Sequence, residues 1–193
     1  MNRHEFSLVP FRDAPLPDIA ITGSILREGS RLGLQYLLTG HIEEIYFPER
    51  AQTPVRRDDL WRTTCFELFL AIPGLPGYWE FNWSPSGDWN IYSMEAYRRV
   101  GFREERRVPA PVLDSRLVAE SFTLDASFSL DAIFRETQSL EAGIAAVIQT
   151  RDGHESYWAL AHPGTLADFH ARQSFILALA GAALPAKLPA PGD

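Results

Sequence analysis

This sequence predicts an all-β fold: one domain built as an antiparallel sandwich of about ten strands. Three observations predict it. Runs that alternate apolar and polar residues recur along the chain, proline and glycine punctuate it at short intervals, and helical periodicity is scarce. The 193 residues, 46% of them hydrophobic and 22% charged, suit a globular domain with a substantial core.

Taken in order, the candidate strands begin with Glu5–Val9, Ile19–Arg27 and Arg31–Gly40. The run from Ile19 to Ile25 alternates at period two, as a strand with one buried face does. A helical turn is expected at Arg57–Trp61, and a second at Asp131–Arg135, where Asp131 is placed to cap it. Cys65–Ala71, Tyr78–Ser84 and Asp88–Glu95 form an aromatic central meander. Arg116–Ser129 alternates throughout and reads as one long strand, followed by Leu140–Thr150, Ser156–His162 and Ser174–Leu179. The sequence shows no internal repeat, so residues 1–180 read as a single domain and the Ala/Pro-rich residues 181–193 as a loose tail.

The meander fixes its own register. The loop I-P-G-L-P-G joins the first two strands, so Ala71 pairs with Tyr78, Glu67 with Asn82, and Phe69 with Glu80. The next turn, P-S-G, suits a three-residue loop with Gly87 in the left-handed region. That loop pairs Asn82 with Asn90, Glu80 with Tyr92, and Trp83 with Trp89. A loop shorter by one residue would mix polar and apolar faces. One face then carries Phe66, Leu68, Leu70, Trp79, Phe81, Trp83, Trp89 and Ile91. The other carries Glu67, Glu80, Asn82, Asn90 and Tyr92. A solvated sheet face accounts for polar residues in general. Two acids, two amides and a phenol without a Lys or Arg on these strands also describe a site for a hydroxyl-rich ligand.

The run L-W-R-T-T-C-F-E-L-F-L from Leu60, then Y-W-E-F-N from Tyr78 and S-P-S-G-D-W-N-I-Y from Ser84, resembles the DOMON-like superfamily. Within it, the chain is similar to the branch related to the family-nine carbohydrate-binding modules. Residues 159–175, A-L-A-H-P-G-T-L-A-D-F-H-A-R-Q-S-F, look like the closing segment of that branch, so the resemblance runs from Trp61 to Phe175. It implies a β-sandwich whose cupped face holds a saccharide or, in other branches, a haem. In those modules a tryptophan ahead of an E-x-F-L-type strand stacks on the sugar, and the strand's glutamate bonds hydroxyls. Trp61 and Glu67 match that pattern. A second tryptophan from late in the chain closes the clamp, a place for which Trp158 is the candidate.

The expected function is non-catalytic binding of a saccharide. Trp61 stacks and Trp158 opposes it; Glu67, Asn82 and Asn90 bond hydroxyls; Glu80 and Tyr92 line the rim. Arg98 reaches toward an anionic substituent, and His162 joins the lining. Two alternatives are a haem domain using Met94 and a histidine as axial ligands and a protein-binding scaffold with no small ligand. No cofactor, metal site or catalytic residue is otherwise expected. The segment His162, Asp168, His170 offers ligand types without fixed geometry and reads as loop hydrogen bonding. Glu67 and Glu80 are near enough for glycoside chemistry, but no distinct general acid is evident. No G-x-S-x-G elbow and no phosphate-binding glycine loop occur.

A net charge of −7 argues against nucleic acid or an anionic membrane as partner. The longest apolar run, residues 175–184, is too short to span a bilayer, and the N-terminal residues lack a signal-peptide pattern. The expected location is therefore the cytoplasm. The single cysteine, Cys65, excludes an internal disulfide and reads as a small core residue.

Overall fold

The computed structural model describes residues 2–12, 15–97 and 102–183. They form an antiparallel β-sandwich. In chain order the strands are β1 (Asn2–Ser7), β2 (Val9–Pro10), β3 (Ile19–Glu28), β4 (Arg31–Gly40), β5 (Cys65–Ala71), β6 (Tyr78–Trp83) and β7 (Trp89–Met94). Then follow β8 (Arg103–Glu104), β9 (Val112–Val118), β10 (Ser121–Ser129), β11 (Leu140–Gln149), β12 (Glu155–Ala159) and β13 (Leu177–Leu179). One sheet has five strands in the order β1-β3-β4-β10-β9. The other has eight, in the order β2-β12-β11-β5-β6-β7-β8, with β13 pairing the start of β11. Among the described residues, no helix is long and apolar enough to cross a membrane.

The core lies between the sheets and follows from period-two alternation. Leu32, Leu34, Tyr36 and Leu38 of β4 and Phe122, Leu124, Ala126 and Phe128 of β10 point inward from the five-stranded sheet. They meet Phe66, Leu68 and Leu70 of β5, Phe81 and Trp83 of β6, and Ile91 of β7. Phe81 lies 4.9 Å from Phe128, centroid to centroid, and Phe66 stacks on Phe122 at 5.7 Å. Tyr36 crosses the core to donate its hydroxyl proton to the Glu67 carbonyl at 2.7 Å.

The meander has the expected register. Ala71 pairs with Tyr78, Glu67 with Asn82, Asn82 with Asn90, Glu80 with Tyr92, and Trp83 with Trp89. Gly87 adopts φ 92°, closing the three-residue turn.

Four expectations need correction. Arg116–Ser129 is two strands, not one: β9 and β10 form a hairpin in which Val118 pairs with Ser121 across Ala119 and Glu120. That turn contains no Gly or Pro, so alternation runs through it unbroken. Asp131–Arg135 forms an isolated turn rather than a helical element, and the helical turn near Arg57–Trp61 is a 3-10 turn at Leu60–Arg62. Finally, β12 ends at Ala159, so His162 is not a strand residue. Of the Ala/Pro-rich tail, residues 184–193 lie outside the described residues.

Candidate functional site

The outer face of the eight-stranded sheet carries the acids and amides, and it is covered. Glu67 is 3% exposed, Glu80 6%, Asn82 0% and Asn90 2%. Two loop segments account for this. The first runs beside β7: Trp89 N donates to Val55 O, Arg57 N donates to Trp89 O, and Asp88 binds both the Val55 amide (3.0 Å) and the Arg57 guanidinium (2.8 Å). This places Asp58 over the sheet, where its Oδ1 accepts from Tyr92 Oη at 2.6 Å and Asn90 Nδ2 at 3.0 Å. Arg56 donates to Asn90 Oδ1 at 3.1 Å and stacks on Trp89 at 4.0 Å.

The second covering segment follows β12. Phe175 and His170 pack on Phe69 and Tyr78, at ring distances from 5.4 to 5.9 Å. The sheet admits Phe175 because β11 presents Gly143 there; a Cβ at that position would lie 2.7 Å from the Phe175 ring. Farther along the same row come Ala145 and Val147, paired with Glu67 and Cys65. Small residues on the central strand thus form a trough between taller neighbours.

Between the two coverings this trough opens as a cavity of about 420 Å³. Glu67, Glu80 and Tyr92 line it from the meander, and Glu155 and Tyr157 from β12. Trp61, half-buried on its 3-10 turn, contributes a wall and meets Tyr92 edge-on at 5.9 Å. Phe169 and His170 line the opposite side, with Phe102 at the mouth, itself 58% exposed. The volume falls within the range of about 300–1,000 Å³ common to small-ligand pockets.

The predicted site residues divide into three groups. Trp61, Glu67, Glu80 and Tyr92 come together around the cavity. Asn82 and Asn90 lie on the same face but beneath the lining: Asn82 Nδ2 donates to Glu80 Oε1 at 2.7 Å, and Asn90 holds the Arg56–Asp58 strap. Asn82 Oδ1 is buried without a donor among the described residues. Trp158 and His162 lie away from the cavity. Trp158 occupies the inner face of its strand, 4% exposed in the main core, with its indole N–H on Ser156 Oγ at 2.9 Å. It therefore cannot oppose Trp61; its neighbour Tyr157 faces outward instead. His162 bonds the Val9 carbonyl at 2.9 Å and meets Phe11 edge-on, outside the cavity. Arg98 lies outside the described residues.

Asp58, Glu155, Tyr157, Phe169 and His170 are the site residues that sequence reasoning did not assign. Tyr157 and Glu155 were within reach, since a strand that turns Trp158 inward turns both of them outward. His170 does not join His162 and Asp168 at a metal: it shares a 2.8 Å hydrogen bond with Tyr78 Oη, while Asp168 accepts from Tyr97 Oη and the His170 amide. Among the described residues, no three His, Cys, Asp or Glu side chains cluster to hold a metal. Of the candidate haem ligands, Met94 lines the cavity, His162 lies outside it, and His170 Nδ1 shares its bond with Tyr78 while its Nε2 lies 3.9 Å from Glu80.

Burial, and secondarily the neighbouring Glu80, holds the Glu67 carboxyl well above the usual carboxylate range. Burial likewise raises the Tyr92 hydroxyl, with Asp58 adding to the effect, so Tyr92 stays a donor. For Glu67 the folded pKa exceeds the unfolded one. Its contribution to stability is full below the unfolded value, about 4.3, and is lost as pH rises through the folded value. Glu67→Gln is therefore expected to raise the melting temperature by several degrees at pH 8, with the gap closing toward pH 4. Thermal melts of both proteins across that range provide the check, and parallel curves would contradict it.

Comparison with protein-family models and with curated proteins gives no match. Solved structures do match in fold. A protein from Bacteroides uniformis, provisionally described as carbohydrate-binding, superposes with a TM-score of 0.64 at 18% identity, over 89% of this chain and 83% of its own. A family-nine carbohydrate-binding module from Caldicellulosiruptor kristjanssonii, solved with cellotriose, gives 0.52 at 9% identity, over 96% of this chain and 88% of that one. The fold is thus the β-sandwich of the carbohydrate-binding modules.

Proposed function

We propose that this protein binds a saccharide, without turning it over, in the cavity on the outer face of the eight-stranded sheet. One observation carries the reading: a single cavity joins the accessible indole of Trp61 to the buried carboxyls of Glu67 and Glu80. A sugar needs both, a flat aromatic surface for its C–H face and short polar groups for its hydroxyls. The fold shared with a module solved with cellotriose supports the reading, as does the resemblance of Trp61 and Glu67 to the stacking tryptophan and strand glutamate of the family-nine carbohydrate-binding modules. The second wall of the clamp is assigned to Phe169 and Tyr157 in place of Trp158.

A thermal-shift screen against mono- and oligosaccharides tests this. A ligand at about 100 times its dissociation constant stabilises by about 2.7 kcal/mol. Trp61→Ala is expected to weaken binding about 30-fold, near 2 kcal/mol, the size of an aromatic anchor's truncation. Equal shifts in wild type and variant would remove Trp61 from the site. Turnover of chromogenic glycosides that disappears in Glu67→Gln would replace the binding reading with a hydrolytic one. Stable capture of a protein partner with no sugar response would replace it with a scaffold.

A further inference from the structure

The hydrogen-bonding capacity of the cavity is lopsided. Tyr92 Oη donates to Asp58 at 2.6 Å, Tyr157 Oη donates to Glu155 at 2.9 Å, and Tyr78 Oη shares its bond with His170 Nδ1 at 2.8 Å. The hydroxyl protons of Tyr92 and Tyr157 are thus committed within the protein. The lining also offers the carboxyls of Glu67, Glu80 and Glu155, set against Arg62 and His170. Glu80 Oε1 accepts from Asn82, and its Oε2 lies 3.9 Å from His170 Nε2. Glu67 differs. It lines the cavity, is 97% buried by virtue of its 3% exposure, and receives no hydrogen bond on its carboxyl from any described residue.

A carboxylate left unpaired at such depth takes up a proton rather than bear the loss of its hydration. A ligand cation can replace that proton. A sugar hydroxyl brings one proton and no charge, whereas an ammonium brings three donors and a positive charge. We infer that the saccharide this site takes is an amino sugar, a hexosamine with a free amine, its ammonium set on Glu67 and its ring against Trp61. This rests on the saccharide reading above and narrows it to a chemical class. The exchange balances: the Glu67 carboxylic acid and the sugar ammonium give a carboxylate–ammonium pair, and one proton leaves to buffer. The titratable groups facing Glu67 around the cavity are Glu80, Tyr92, Arg62, Glu155, Tyr157 and His170.

Titration calorimetry decides it. Glucosamine, galactosamine and mannosamine are titrated into the full chain beside their neutral parents, their N-acetyl forms and glucuronic acid. Each titration is run in two buffers of different protonation enthalpy near pH 7. The free amine is expected to bind about ten-fold or more tighter than its neutral parent. N-acetylation should erase the gain, and the buffer dependence should show about one proton released. Glu67→Gln should lose the amine's advantage over its neutral parent and the accompanying proton release, whatever it does to the affinity common to both sugars. Neutral or acetylated sugars binding as tightly as the amine, no proton release, or a preference kept in Glu67→Gln would overturn the amine assignment and leave saccharide binding standing. Silence from every sugar would overturn both.

Discussion

Phe81→Ala is expected to lower the unfolding free energy by about 4 kcal/mol, the middle of the range for truncating a buried phenylalanine. Phe81 is fully buried at the centre of the inner face, with Leu68 on one neighbouring strand and Ile91 on the other. Its ring lies 4.9 Å from Phe128 across the core and 6.1 Å from Trp83 along its own strand. Removing it deprives both sheets of contact at once, and close neighbours on rigid strands cannot collapse far into the space. Urea unfolding should show the midpoint falling with little change in slope. The adjacent residue Glu80 provides the contrast: Glu80→Gln, on the opposite face, should cost far less. A loss for Phe81→Ala below about 1 kcal/mol would mean that the inner face does not carry the sandwich.

That prediction was legible in the sequence because the pleat is strictly two-periodic. Once Gly87 fixes the turn, the paired residues of β5, β6 and β7 are each assigned a face, and the structure pairs them in that register. The burial of the polar face was not legible in the same way. It depends on Asp58 reaching Asn90 and Tyr92, and on His170 reaching Tyr78, across separations of 32, 34 and 92 residues. Neither covering segment has a periodicity that announces what it will touch. Trp158 shows the opposite fault: its residue type fits a sugar clamp, but its strand's own alternation turns it into the core. Val147 pairs with Tyr157 and Ala146 with Trp158, and Ala146 belongs to the core. Following that row would have put Tyr157 on the cavity side.

The second large effect belongs to Arg27, whose position breaks the expectation that an inward row is apolar. It follows Ile21 and Ile25 on the inner face of β3 and is only 3% exposed. Its guanidinium is satisfied entirely by carbonyl oxygens: Gly29 at 3.0 Å, Gln138 at 2.7 Å, Leu179 at 3.2 Å, Arg135 at 3.4 Å and Glu136 at 3.3 Å. Irregular backbone at the end of the sandwich has no ladder to satisfy it, and one planar fork supplies the donors that a strand would. Arg27→Met keeps much of the apolar stem but leaves those carbonyls without their partner. The expected cost is about 3 kcal/mol, since bonds to a charged donor are individually worth about 1.5–3 and water recovers part of the loss. The damage should concentrate where the fork acts. Leu179 pairs with Leu140, so hydrogen exchange at β13 and at the start of β11 should accelerate more than exchange in the meander. Uniform acceleration, or a cost below about 1 kcal/mol, would show that water replaces the guanidinium there and that packing alone holds the C-terminal strand to the sheet.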